Sequence, residues 1–399
     1  MNRLGFRWAT RGWITAVAVV AVVIAGAVLV RTANDRNERT TATSSDQGDA
    51  LRVNTDDWKT DFSKHSVPLG EFASGGPPRD GIPPIDEPRF VSTREADRWL
   101  GAREPVIAVR LEGRARAYPL QIMTWHEIVN DELGGRPIGV TFCPLCNSSV
   151  VFDRRVDDMA LRFGTTGNLR KSDLVMWDDK TESWWQQLGA EAIVGELTGT
   201  KLRVLPSQIL SWKDFARRYP DGRVLSRDTG HTRSYGENPY GGYDAVDSPP
   251  FALDEGDLNE RLPPKLRVSA VTVKRKTVVY PFDKLRERRV IHDDVAGVPI
   301  VVFFKRGVAS ALDEVRISSG KDVGTSGTFE RRLGGEILEF RPVANGRFRD
   351  RQTGSAWDIS GRAVSGRFAG RELRPVRHDD QFWFAIAAFF PEVEVFDSQ

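Results

Sequence analysis

The chain has 399 residues, with 57 lysines and arginines against 55 aspartates and glutamates, a formal net charge of +2. That near-balance gives no electrostatic case for a nucleic-acid partner, and the length beyond an apolar N-terminal segment suffices for two average domains or one large one. Eleven tryptophans, 21 phenylalanines and 36 glycines suit a turn-rich β or α+β protein.

Trp13 to Val30 is an unbroken apolar run preceded by Arg3, Arg7 and Arg11. As a helix it rises about 27 Å, close to the hydrocarbon thickness of a bilayer. It is longer than the apolar region of a cleaved signal peptide and has no clear small-residue cleavage site. The sequence therefore predicts an uncleaved membrane anchor over 1–30, with the folded part extracytoplasmic, either periplasmic or extracellular. Residues 31–57 are polar and read as a flexible tether. Residues 58–103, with GEFASGGPPRDGIPPIDEP among them, read as an extended Pro/Gly-rich lead-in laid over a folded body.

The remainder matches itself. Tyr118-Pro119 and Tyr280-Pro281, Gly135 and Gly297, and Pro137-Ile138 and Pro299-Ile300 are all separated by one and the same offset, and Thr181, Ser183 and Trp185 recur at a slightly longer one as Thr353, Ser355 and Trp357. These spacings predict a tandem repeat, with unit one over 104–228, an aromatic connecting loop over 229–264 and unit two over 265–399. The fold class expected is strand-rich α+β, a duplicated β-rich unit with short helices plus the N-terminal transmembrane helix. In unit one, VIAVRLEGRARAYP predicts a β-hairpin turning at Glu112-Gly113. Leu120 to Val129 predicts a helix, with Ile122, Trp125, His126 and Val129 on its buried stripe and Gly134-Gly135 as its stop. Ile138 to Phe142 predicts a strand running into Cys143, and Ser207 to Tyr219 a second helix ended by Pro220. The hydroxyls of the T-x-S-x-W motifs are expected to cap turns and their tryptophans to fill the core.

Cys143 and Cys146 are the only cysteines in the sequence, and three roles suit their C-P-L-C spacing. They can form a disulfide, although so short a loop gains only roughly 2 kcal/mol. They can exchange thiols with disulfides, although the thioredoxin-like βαβ context is missing and β-branched NSSVVFD reads as strand. They can also bind a soft metal, with His126 as third ligand, copper ahead of zinc, and Glu127 or Asp131 available as a fourth. At the shorter of the two repeat offsets, His126, Cys143 and Cys146 are replaced by Arg288, Lys305 and Val308. Groups present in one copy only have no scaffold duty in the other, which places the function in unit one. The loop from Thr229 to Tyr243, with Tyr235, Asn238 and Tyr240, is suited to line an adjoining pocket together with Trp125. Glu127 or His126 would serve as a base if the site is catalytic; no catalytic residue is assigned. The alternative is a ligand- or partner-binding module with bridged cysteines. Apart from the membrane itself, the sequence singles out no partner. No G-x-S-x-G, P-loop, H-E-x-x-H or dinucleotide fingerprint occurs.

The string YPLQIMTWHEIVNDELGGRPIGVTFCPLCNSSVVFDR, the T-x-S-x-W segment after it and YGENPYGGYD together resemble the prokaryotic domain-of-unknown-function family 3179, over roughly Pro83 to Phe396. The resemblance marks Trp125, His126, Glu127, Asn130, Asp131, Cys143, Pro144 and Cys146 as positions of the family pattern, and it implies no activity.

Overall fold

The computed structural model describes residues 51–397, and its first long hairpin lies where the sequence first alternates. Pro105–Leu111 (β1) and Arg114–Pro119 (β2) form an antiparallel hairpin. Glu112 and Gly113 turn it at φ 46° and 75°, the left-handed pair that a two-residue hairpin turn requires. Leu120–His126 (α1) follows, then the hairpin of Ile128–Leu133 (β3) and Arg136–Cys143 (β4), to which Ser148–Asp153 (β5) is added.

The helix is shorter than the apolar spacing suggests. Glu127, at φ 57°, ends it, and the β-branched pair Ile128 and Val129 begins β3, where their backbone can pair with β4. Gly134-Gly135 therefore turns the β3–β4 hairpin instead of stopping a helix.

Phe163–Arg170 (β6), Asp173–Asp178 (β7), Trp184–Gln186 (β8) and Glu191–Val194 (β9) form a meander. Phe72–Ser74, within the expected lead-in, pairs with its edge at β6. Leu51 and Val53, expected in the tether, pack against the cluster around Trp184. Ser207–Ser211 (β10) returns to pair with β1. The predicted second helix thus starts only at Trp212–Arg218 (α2), where the Ser211 hydroxyl caps it by accepting the Asp214 N–H. Arg223–Leu225 (β11) lies parallel to β2.

The second half follows the same order. Arg267–Val273 (β12), Lys276–Pro281 (β13), Phe282–Arg288 (α3), Val290–Val295 (β14) and Val298–Lys305 (β15) all begin at one constant offset from β1, β2, α1, β3 and β4. Thr325–Glu330 (β16) adds to β15. Phe340–Val343 (β17), Arg347–Asp350 (β18), Ala356–Trp357 (β19) and Ala363–Ser365 (β20) form the second meander. Arg377–Phe382 (β21) pairs with β12, Trp383–Ala387 (α4) follows, and Glu394–Val395 (β22) lies parallel to β13 as β11 lies to β2.

Side-chain bonds recur as well. Tyr118 donates to Asp131 and Tyr280 to Asp293. The indoles of Trp185 and Trp357 donate to Asp178 and Asp350, each at 2.9 Å. Thr181 and Thr353 bond the same carboxylates and then Ser183 and Ser355, so the T-x-S-x-W motifs fasten turns and bury tryptophans as expected. The halves share a core, in which Ala108, Leu210 and Trp212 pack with Val301, Phe303 and Trp357. Among the described residues no helix is long and apolar enough to cross a membrane; the expected anchor over 1–30 and most of the tether lie outside them.

Candidate metal centre

Two hairpin turns of the first half meet. In the β4–β5 turn, Cys143 pairs with Ser148 and the Asn147 N–H donates to the Pro144 carbonyl at 3.2 Å. Asn147 takes the left-handed conformation, φ 51°, which its short polar side chain tolerates. The β6–β7 turn consists of Lys171 and Ser172, at φ 50° and 66°, a conformation that usually selects glycine or asparagine. It brings the Ser172 carbonyl to 3.5 Å from the Cys146 sulfur and 3.9 Å from that of Cys143. Asp173 follows directly. Both Sγ atoms and a carboxylate oxygen of Asp173 lie within 4.8 Å of one another, and all three residues are buried.

The second half closes this place from outside. Phe382 N–H donates to the Cys146 carbonyl at 2.9 Å, Asn147 donates to the Asp380 carbonyl at 3.2 Å, and Leu312, Phe382 and Phe384 pack around the cysteines. Asp173 is bonded mainly on one side: its Oδ2 accepts from Gln186 Nε2 at 2.6 Å and Leu188 N at 3.0 Å, whereas the buried Oδ1 holds no hydrogen bond of good geometry, and the Cys146 thiol and Leu174 N–H lie close enough to favour the carboxylate. Glu127, just past α1, is buried too, and its carboxyl is bonded by Tyr240.

Burial sets the electrostatics. It pushes the Asp173 carboxyl up to about 6 and that of Glu127 up to about 8, with the Asp173 charge adding to the second. Burial likewise raises Cys143 and raises Cys146 well above the usual thiol range. Four acidic groups thus share one buried place. Neither carboxyl forms an ion pair among the described residues.

His126 is engaged elsewhere. Its Nδ1 lies 2.7 Å from the Pro83 carbonyl and its Nε2 lies 2.6 Å from the Tyr235 hydroxyl. A carbonyl only accepts, so Nδ1 carries the proton and Nε2 accepts from Tyr235. Burial lowers the imidazole to about 4 and keeps it neutral, and the nearby His231 and Arg233 act in the same direction. The third ligating group that the fold places with the two sulfurs is Asp173, not His126.

The remaining sequence candidates divide. Tyr240 packs against the cysteine cluster and reaches Glu127. Trp125 donates to the Glu237 carbonyl at 3.1 Å, and Asn238 donates to the Glu314 carbonyl while accepting Tyr240 N–H, so both fasten the connecting loop. Tyr235 ends on His126 and Thr229. Asp131 belongs to the Tyr–Asp clasp that the second half repeats, with Arg116 added to it.

Sequence reasoning missed Asp173, and it named Tyr243 only as the end of the pocket-lining loop, whereas its ring joins the cluster beneath the Lys265 ammonium at 3.5 Å. The signal was available in the repeat. Its shorter offset pairs Glu127 with Arg289 and its longer one pairs Asp173 with Asn345, so both acids are absent from the second half. Backbone strain carries no such information: Arg289 stops its helix at φ 61° much as Glu127 does at 57°.

A family model described as "Protein of unknown function (DUF3179)" matches residues 79–393. No curated protein and no solved structure matches the chain.

Proposed function

The chain belongs to the DUF3179 family, and from that premise we propose that its first half binds one divalent metal ion at Cys143, Cys146 and Asp173, with Glu127 beside them and zinc ahead of copper. The observation that carries the proposal is the convergence of both thiols and the buried Asp173 carboxyl within 4.8 Å of one another, with Asp173 Oδ1 holding no hydrogen bond of good geometry. Two thiolates and one carboxylate bring three negative charges; a divalent ion leaves one uncompensated and a monovalent ion leaves two. An oxygen donor in place of an imidazole also moves the preference from copper(I) towards zinc. Glu127 supplies either a fourth donor or a neutral acid held by Tyr240. Enclosure of the whole set fits a resident ion that ties the β4–β5 turn to the β6–β7 turn better than an open catalytic centre. Thiol exchange fits less well, since burial raises both thiols where an exchanging cysteine needs an exposed, lowered one.

In this proposal the two halves are copies of one unit, and the apolar run Trp13 to Val30 anchors the chain so that the metal is acquired outside the cytoplasm. The deciding experiment is elemental analysis of anaerobically purified protein against Cys143→Ser/Cys146→Ser and Asp173→Asn. Stoichiometric metal in the wild type, lost in both variants, is expected. Equal metal content in all three refutes the site, and a wild type that is metal-free with no titratable thiol supports a disulfide-bridged binding module instead. For the anchor, a C-terminal reporter fusion active only in the cytoplasm would contradict the topology.

A further inference from the structure

The position equivalent to Cys143 has a different chemistry in the second half. Lys305 ends β15 as Cys143 ends β4, and it too meets a hairpin turn: a Cβ on Gly346, between β17 and β18, would stand 2.6 Å from Lys305 Cε. Glycine there, at φ 66°, lets the lysine lie across the turn. Around this junction a cleft of about 240 Å³ opens, lined also by α2 of the first half and by the segment 358–364.

Its basic side chains fall into two groups. Lys305 is paired with Asp214, whose other oxygen is taken by Ser211, and Arg218 is paired with Glu372 and Ser360. Arg217, Arg347 and Arg362 also line the cleft, and their guanidinium groups make no hydrogen bond or ion pair among the described residues. Arg347 Nη1 is buried in that state, and a buried guanidinium N–H without an acceptor is costly. Asp358, also in the wall, spends Oδ1 on Ser360 and the Arg362 backbone. Three forked donors facing one small cleft suit an acceptor with several oxygens and more than one negative charge.

We propose that the cleft bounded by Lys305, Arg217, Arg347 and Arg362 binds a small multivalent oxyanion, phosphate as the free ion or as the terminal group of a phosphomonoester. The same junction of strand end and hairpin turn then serves a cation in the first half and an anion in the second. This site is independent of the cysteines.

Calorimetric titration of the folded protein with inorganic phosphate, with glycerol 3-phosphate and with acetate, at matched ionic strength, tests it. Saturable 1:1 binding of phosphate, the ester or both is expected, with acetate silent. Binding of the ester alone assigns the site to a phosphomonoester, and binding of phosphate alone to the free ion. Arg347→Met/Arg362→Met is expected to weaken binding by at least about tenfold, the effect of losing charge-assisted bonds, and Cys143→Ser/Cys146→Ser to leave it unchanged. Should the first variant fail to fold, Arg217→Met/Arg362→Met, which keeps the buried guanidinium, carries the same decision. No saturable binding in the two phosphate arms, acetate as effective as phosphate, or an arginine variant with wild-type affinity overturns the proposal.

Discussion

Asp173→Asn should act in opposite directions on the metal-free and metal-bound protein. The carboxyl titrates at about 6 in the fold against an ordinary 3.8. A raised value means that the stability linked to this group is complete below 3.8 and is lost as pH rises through about 6. At roughly 1.4 kcal/mol per pH unit, the metal-free wild type forgoes about 3 kcal/mol above that window. Asparagine keeps an oxygen for Gln186 and Leu188 and carries no charge. Its amide replaces Oδ1 and leaves a buried donor, which costs about 1–3 kcal/mol. The metal-free variant is therefore expected to match or exceed wild type, by up to about 2 kcal/mol, near neutral pH, and to fall below wild type near pH 4. Metal affinity should fall by more than the roughly 10–100-fold typical of changes around a metal ligand. Urea unfolding of reduced, chelator-stripped proteins at the two pH values and competition with a chromophoric chelator measure both effects. A metal-free variant less stable than wild type near neutral pH would show that the carboxylate is satisfied within the protein, and the case for a metal would lose its basis.

Three further outcomes follow from the same geometry. Metal affinity should climb as pH rises through the range from about 6 to about 8 in which Asp173 and Glu127 ionise, and a flat profile in chelator competition would count against their participation. In the metal-free native protein, Cys143 and Cys146 should react with iodoacetamide far more slowly than in urea, because both are buried and raised; equal rates would place them at the surface. Trp357→Phe removes the indole donor from Oδ2 of the buried Asp350 and leaves that oxygen the Thr353 hydroxyl alone; losing one hydrogen bond to a charged group should destabilise by roughly 1.5–3 kcal/mol in urea unfolding, whereas a loss under about 1 kcal/mol would mean the indole bond is dispensable.

The matching order of elements in the two halves was legible because its first five members keep one spacing. Pro105–Leu111 through Arg136–Cys143 reappear in the second half without an insertion, and the motif residues further on bond alike in both halves. Helix ends were not legible. Val129 falls on the helical stripe of Ile122 and Trp125, but pairing with Val140 claims it for a strand, and no local propensity announces that competition. Within the buried cluster, the cysteines, Glu127 and Tyr240 are singled out in the sequence because a motif or an aromatic loop marks them. Asp173 follows an ordinary two-residue turn, and what makes it a ligand candidate is a fold that sets that turn against the one between β4 and β5. His126 erred the other way: its closeness in sequence to Cys143 suggested ligation, while Pro83 and Tyr235 take both of its nitrogens.

The contrast between the halves bears on why the acidic cluster is kept at all. Where Lys305 meets its hairpin turn, the charge is met from within, by Asp214. Where Cys143 meets its turn, the protein supplies Asp173 and Glu127 instead, and burial makes each acid harder to ionise than it is in water. A buried acid without a partner destabilises the fold that holds it. The scaffold does not require Glu127, because Arg289 occupies the matching position in the second half and stops its helix at a similar positive φ. Local conformation then does not account for the convergence of acids, whereas a cation bound there as proposed would, since it would draw the protons off the thiols and carboxyls and turn their mutual repulsion into ligation.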